Sequence, residues 1–318
     1  MDFVGKRRWY FIFSALVIIP GIISLLIPPG LKPGIEFTGG TAMTIRFEKP
    51  VERTELQQEV ASLLRGDVMV QRTGEGDFFI RTKVLEGKQK DPQGNTVKPS
   101  QRQELEQALG QKFGPFTVRE FDSISPIVAG ETVFNAGLVV VLAAIGMLVY
   151  IIVAFRHLPK PFRYGVCAVA ALVHEVLVVL GIFSLMGRFL GTEVDLMFIA
   201  ALLTVIGYSI NDAIVVFDRI RDNLGRARGY SFEVTVNNSI METLSRSLST
   251  GLCTLFVLLA IYLFGGASTR DFALALFIGI VSGTYSTIFN AAQLLVVWEN
   301  GDVGRFFQRR ILRRPAEG

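Results

Sequence analysis

Residues 196–221 read LMFIAALLTVIGYSINDAIVVFDRIR, and this stretch decides the architecture of the chain. Leu196–Ile206 and Ala213–Phe217 are almost wholly apolar, as a membrane-spanning helix requires. About 20 residues at ~1.5 Å rise cross a ~30 Å hydrocarbon core. Asp212 falls inside that run. A carboxylate at such depth costs roughly 2.5–3.5 kcal/mol on insertion scales, and such residues face a protein interior or a water-filled path.

Outward from this run, the chain repeats the pattern. The apolar stretches are Trp9–Ile27, Asn135–Phe155, Tyr164–Met186, Val194–Phe217, Leu248–Phe264 and Phe272–Trp298. With 50% hydrophobic residues and a mean hydropathy of +0.44, the 318-residue chain is too apolar for an ordinary soluble domain. Residues 28–132 break the pattern with charge, turns and short alternating segments. Strands are expected at Thr41–Phe47, Val68–Arg72, Phe78–Lys83 and Phe116–Phe121, with a turn at Gly74–Asp77. Helices are expected at Arg53–Arg65 and from the Ser100 cap to Lys112, and a polar loop at Glu86–Pro99. This βαββαβ order is that of the ferredoxin-like split βαβ fold.

The expected architecture is a polytopic α-helical membrane protein: six transmembrane helices with one external ferredoxin-like α+β domain between helices 1 and 2. Its divisions are a cytoplasmic N-terminus (1–8), transmembrane helix 1 (9–27), the external domain (28–132), transmembrane helices 2–6 (133–298) and a basic cytoplasmic tail (299–318). Orientation follows from the basic residues. Lys6, Arg7, Arg8, Arg156, Lys160, Arg163, Arg219, Arg221, Arg226, Arg228 and Arg246 lie at one side, together with Arg305, Arg309, Arg310, Arg313 and Arg314 of the tail. Only Arg188 and Arg270 lie in the short connections of the other side, a bias that places both termini in the cytoplasm. The isoelectric point near 9.1 therefore reads as topology, with membrane lipid as the expected neighbour and no nucleic acid. The 14 basic and 15 acidic residues of 28–132 nearly cancel and make no nucleic-acid surface either. Pro28-Pro-Gly follows the first span where a signal peptide would have a small-residue cleavage site, so an uncleaved span is expected. The connection Asp218–Ser247 contains Ser231–Arg246, which reads as an amphipathic helix lying at the interface.

Several residues invite chemistry. Tyr208, Asn211, Asp212 and Val215 share one helical face, giving a polar stripe that is either a static hydrogen-bond network or a proton site. Burial disfavours the charged form of any carboxyl, which suits a group that takes up and releases protons. His174 and Glu175 form a second intramembrane polar pair, read either as packed and hydrogen-bonded or as a relay to Asp212. Adjacent residues on a helix diverge by about 100°, which disfavours a metal site there. Asp218 and Arg221, three apart, read as an interfacial ion pair, and Arg246 on its own as an orientation-setting cation. Gly279 and Gly283 form a GxxxG pattern suited to close helix packing. Cys167 and Cys253, both within spans, read as small packing residues. No Walker A loop, His-Glu-x-x-His, Gly-x-Ser-x-Gly or Cys-x-x-Cys occurs, so no enzyme, cofactor or metal is expected.

The motifs also resemble a known family. Gly34-Ile-Glu-Phe-Thr-Gly-Gly-Thr41 is similar to the Gly-x-Asp-Phe-x-Gly-Gly-Thr motif after the first span of the SecD/SecF family of protein-export membrane proteins. Val205–Asn223, Leu244–Thr250 and Leu263–Tyr285 resemble the family's fourth, fifth and sixth spans. Departures are Glu36 and Glu175, where the family has Asp, and Asn290-Ala-Ala-Gln293 in place of a Ser-Pro pairing. The resemblance, within the resistance-nodulation-division superfamily, implies an accessory role to the Sec translocon in which the proton-motive force assists protein export. It implies association with SecD, with the SecYEG translocon, with YajC and with an unfolded translocating polypeptide, in the bacterial plasma membrane. It marks Asp212 as the proton-pathway aspartate, Arg246 as a functional arginine near it, and Gly34, Glu36, Phe37, Gly39, Gly40 and Thr41 as the family motif loop. Two alternatives stand beside it: half of a proton-driven small-molecule efflux transporter, and a static assembly scaffold.

Overall fold

The computed structural model describes residues 2–64, 68–73, 76–85, 89–90, 96–98, 100–156, 160–226 and 229–301. These form two compact units, one made of Pro33–Gly137 and the other of the chain to either side of it. The first membrane helix, α1 (Arg7–Leu26), is followed by the one-turn helix α2 (Ile35–Thr38), β1 (Gly40–Phe47) and α3 (Arg53–Leu64). Then come β2 (Met69–Thr73), β3 (Asp77–Thr82), β4 (Gln89–Lys90), β5 (Thr96–Lys98), α4 (Gln101–Phe113) and β6 (Phe116–Ile124).

The main sheet has the order β2-β3-β1-β6, with every neighbouring pair antiparallel. That is the ferredoxin-like arrangement expected from the βαββαβ order. Alternation does the folding here: Met43, Ile45, Phe47, Phe78, Ile80 and Val70 line one sheet face. Leu56 and Val60 of α3 and Leu105 and Leu109 of α4 close over them. Arg46 and Asp77 pair across the sheet, and Lys112 pairs with Glu59 between the helices. Ser100 caps α4 as expected, accepting from the Gln103 N–H at 3.3 Å. One expectation needs correction: the segment read as a polar loop contains the small β4–β5 ladder, favoured by β-branched Thr96 and Val97. Residues 86–88, 91–95 and 99 of that segment, like Arg65, Gly74 and Glu75, lie outside the described residues.

The second membrane helix, α5 (Pro126–Ala154), begins nine residues before the expected Asn135. Ser125 and Pro126 make a helix start: proline is pre-set for the first turn, and the Val128 N–H reaches Ser125 Oγ at 3.4 Å. Next come α6 (Pro161–Phe189), α7 (Leu196–Arg226) and α8 (Phe232–Phe264). Helix α8 corrects the reading of Ser231–Arg246 as a separate interfacial helix. Its 33 residues run unbroken through Ser247, capped by Ser231 and free of proline. Helix α7 likewise continues beyond the apolar run, so most of the expected connection Asp218–Ser247 is helical. The last span is α9 (Ala267–Ser286), a π turn (Thr287–Ala291) and α10 (Ala292–Glu299). Among the described residues, six helices are thus long and apolar enough to cross a membrane.

Small residues set the helix approach. A Cβ built on Gly181 of α6 would fall 2.7 Å from the Gly21 Cα of α1. The Ser24 and Ser184 hydroxyls, 2.7 Å apart, join the same two helices, and Arg188 Nη2 donates to the Ile27 carbonyl at 2.7 Å.

Candidate functional site

Asp212 is half-buried on α7, at the edge of the face that packs into the bundle through Val205, Ser209, Ala213 and Val216. Ser247 Oγ on α8 donates to its Oδ1 at 2.6 Å. Its Oδ2 is buried and has no hydrogen-bond partner among the described residues. Arg246, the residue before Ser247, is exposed and forms no ion pair among the described residues, yet its charge acts electrostatically on Asp212. One carboxyl oxygen is therefore fixed by a hydroxyl and the other is left open, with a cation in electrostatic range. That arrangement tolerates both the acid and the carboxylate, because a hydroxyl can donate to one and accept from the other.

The rest of the expected stripe divides. Tyr208 is half-buried, its hydroxyl 4.0 Å from a Cβ built on Gly251 of α8. The Asn211 side chain is exposed and joins no hydrogen bond among the described residues, so the structure does not gather it with Asp212. Helical spacing placed both residues on one side; packing turned Asn211 outward.

His174 and Glu175 also part company. Glu175 points between α7 and α9, where Ser209 Oγ donates to its Oε1 at 2.6 Å and Ser286 Oγ donates to the same oxygen. The His174 ring lies 6.2 Å from that of Tyr285, and neither of its nitrogens has a partner among the described residues. Gly279 and Gly283 do serve close packing, and unequally. A Cβ on Gly279 would collide with the Val205 side chain, whereas one on Gly283 would meet Glu175 Oε2 at 3.4 Å. Asp218 pairs with Arg221 at 2.6 Å, the ion pair expected of them. Cys167 is buried, but Cys253 is exposed on α8 and so fills no interior space.

The motif loop belongs to the other unit and is built for a turn. Gly34 precedes α2, Glu36 and Phe37 lie half-buried within it, and Gly39 and Gly40 follow with φ of 73° and 135°. Those angles are costly for residues with a Cβ. A Cβ on Gly40 would also lie 2.7 Å from the Thr82 carbonyl oxygen. Thr41, fully buried, meets the Ser123 hydroxyl at 2.9 Å and accepts the Leu85 N–H at 3.2 Å. Reading the sequence missed Ser247 and Ser286, which with Ser209 hold the two carboxyls. Their signal was slight: Ser286 lies within an apolar run and Ser247 immediately before one.

Profiles described as the C-terminal part of protein export membrane protein SecD/SecF and as the SecD/SecF GG motif match residues 104–301 and 24–51. The chain is 46% identical over 310 residues to protein translocase subunit SecF of Thermobaculum terrenum, covering 97% of each. It is 39% identical over 316 residues to that of Anaerolinea thermophila, again covering 97% of each. The crystal structure of SecDF from Thermus thermophilus, a translocon-associated membrane protein, is similar with a TM-score of 0.78 and 34% identity. That match covers 94% of this chain and 39% of the other, so this chain spans about two fifths of SecDF. The small-molecule efflux reading gains no support from these relatives, which are named as translocase subunits. The chain is thus a multi-pass membrane component of transport machinery, and it belongs to the SecD/SecF family of protein export membrane proteins, on the SecF side.

Proposed function

We propose that this chain pairs with SecD beside the SecYEG translocon, with YajC as a further associate, and uses the proton-motive force to assist protein translocation. The observation that carries the reading is the Asp212 carboxyl inside α7, with one oxygen on Ser247 and the other unpartnered. Asp212 alternates between acid and carboxylate. In the ionised state Ser247 donates to it and the Arg246 charge offsets part of the desolvation cost. In the acid state the same hydroxyl accepts. Because the bond joins α7 to α8, each change of state alters how the two helices hold one another. Tyr208 orders neighbouring groups from the half-buried side. Asn211, exposed next to Asp212, faces the partner half or water. Six spans are half of the twelve-span plan of the superfamily, and SecD supplies the other half. The domain of residues 33–137 turns the motion into capture or release of the translocating polypeptide. Both termini lie in the cytoplasm and the protein resides in the plasma membrane, the orientation supported by the basic residues.

Asp212→Asn keeps shape and hydrogen bonding but cannot carry a proton. Co-purification of the variant with SecD is expected to be unchanged, and stimulation of export by the proton-motive force is expected to vanish in a vesicle translocation assay. Full stimulation in the variant would favour the static-scaffold reading instead.

A further inference from the structure

The bundle holds a second carboxyl that no cation answers. Glu175 is fully buried and takes part in no ion pair among the described residues. Both Ser209 and Ser286 bind Oε1, leaving Oε2 without a partner among the described residues, against the bare surface of Gly283. The titratable groups around it are few. Asp212 on α7 is close enough for its charge to be felt at Glu175. His174 precedes it on α6, and Tyr285 on α9 faces His174 while its hydroxyl donates to the Tyr10 carbonyl of α1. Glu299, in α10, is engaged with Arg163 and Lys160.

Burying an isolated carboxylate in so apolar a setting costs far more than burying its neutral acid. Two nearby carboxyls in low dielectric also resist being ionised together. The cradle nevertheless fits both states. Ser286 Oγ has a second acceptor in the Gly283 carbonyl at 3.3 Å, to which it can turn when Glu175 carries a proton and donates. Ser286 directly precedes the π turn, a departure from α-helix that recurs at functional sites. Ser209, the other hydroxyl, lies three residues from Asp212 on α7.

We propose that Glu175 is a second proton-carrying residue of this pathway, exchanging its proton with Asp212 so that the two together hold at most one negative charge. In the exchange the Glu175 O–H bond breaks and the proton joins the Asp212 carboxylate. Asp212 becomes the acid, Glu175 the carboxylate, and both hydroxyls then donate to Glu175. The inference rests on the proton-carrying role of Asp212, but its first test does not.

Infrared spectroscopy of the full chain in lipid vesicles at neutral pH reads the carbonyl stretch of a protonated carboxylic acid. The band is expected to persist in Asp212→Asn, to vanish in Glu175→Gln and to return in Glu175→Asp. Export assays supply the second arm: Glu175→Gln is expected to co-purify with SecD normally and to lose stimulation by the proton-motive force, with Glu175→Asp restoring it. An acid band that survives Glu175→Gln, or full stimulation in that variant, would overturn the proposal. Failure of the Asp212 reading looks different, because Asp212→Asn would then keep its stimulation whatever the band at Glu175 does.

Discussion

The domain of residues 33–137 and the membrane bundle solve the same problem with opposite materials. In the domain, Met43, Ile45, Leu56, Val60, Ile80, Leu105 and Leu109 are hidden and the charged residues lie outside. In the bundle, Leu16, Leu142, Phe256 and Phe264 are exposed, while Glu175, Ser184, Ser247, Ser286 and Gln293 are buried. Removal of apolar surface from water drives the first. Lipid is as apolar as leucine, so the second depends on close backbone approach and interhelical hydrogen bonds. The same residue type therefore carries different weight in the two regions.

Four substitutions probe that contrast. The largest effect is expected in the domain, where Ile80→Ala removes a fully buried side chain from the centre of the sheet. It should cost about 2–5 kcal/mol, read as faster hydrogen exchange at the β1 and β3 amides. A lipid-facing counterpart, Leu142→Ala in α5, should change little by the same measurement on the helix, since its side chain leaves lipid for lipid. Should Leu142→Ala prove as costly as Ile80→Ala, the contrast fails. Next comes Gly181→Leu, which inserts a side chain where the backbones of α1 and α6 touch. Overpacking of this kind costs about 1–3 kcal/mol, and a lower thermal unfolding midpoint in detergent would register it. A smaller effect is expected of Ser184→Ala, which deletes the contacts to Ser24 and Gly30. A buried hydrogen bond between membrane helices contributes about 0.6 kcal/mol, so a shift of a few degrees or less is expected. A much larger shift would mean that polar contacts, rather than backbone approach, dominate this crossing.

Much of this was legible beforehand for a physical reason. Apolar length and period-two alternation are local properties, so the six spans and the strands of the sheet could be read within short windows. The interior carboxyls were visible too, because an acidic residue amid Leu, Ile and Val stands out wherever the chain folds. Helix ends were less legible: α5 starts at Pro126, and α8 joins two segments that composition had separated. Their boundaries depend on capping and on the lack of a breaker, not on hydropathy.

By itself, then, the sequence determined that Asp212 and Glu175 lie inside membrane helices, since depth follows from position along an apolar run. Only the tertiary structure decided what each carboxyl meets. Ser247 lies 35 residues from Asp212, and Ser209 and Ser286 lie 34 and 111 residues from Glu175. Rotation of a helix about its own axis costs the local sequence nothing and is fixed by packing against its neighbours. That is why Asn211 faces outward, His174 and Glu175 point apart, and three unremarkable serines hold the two buried carboxyls.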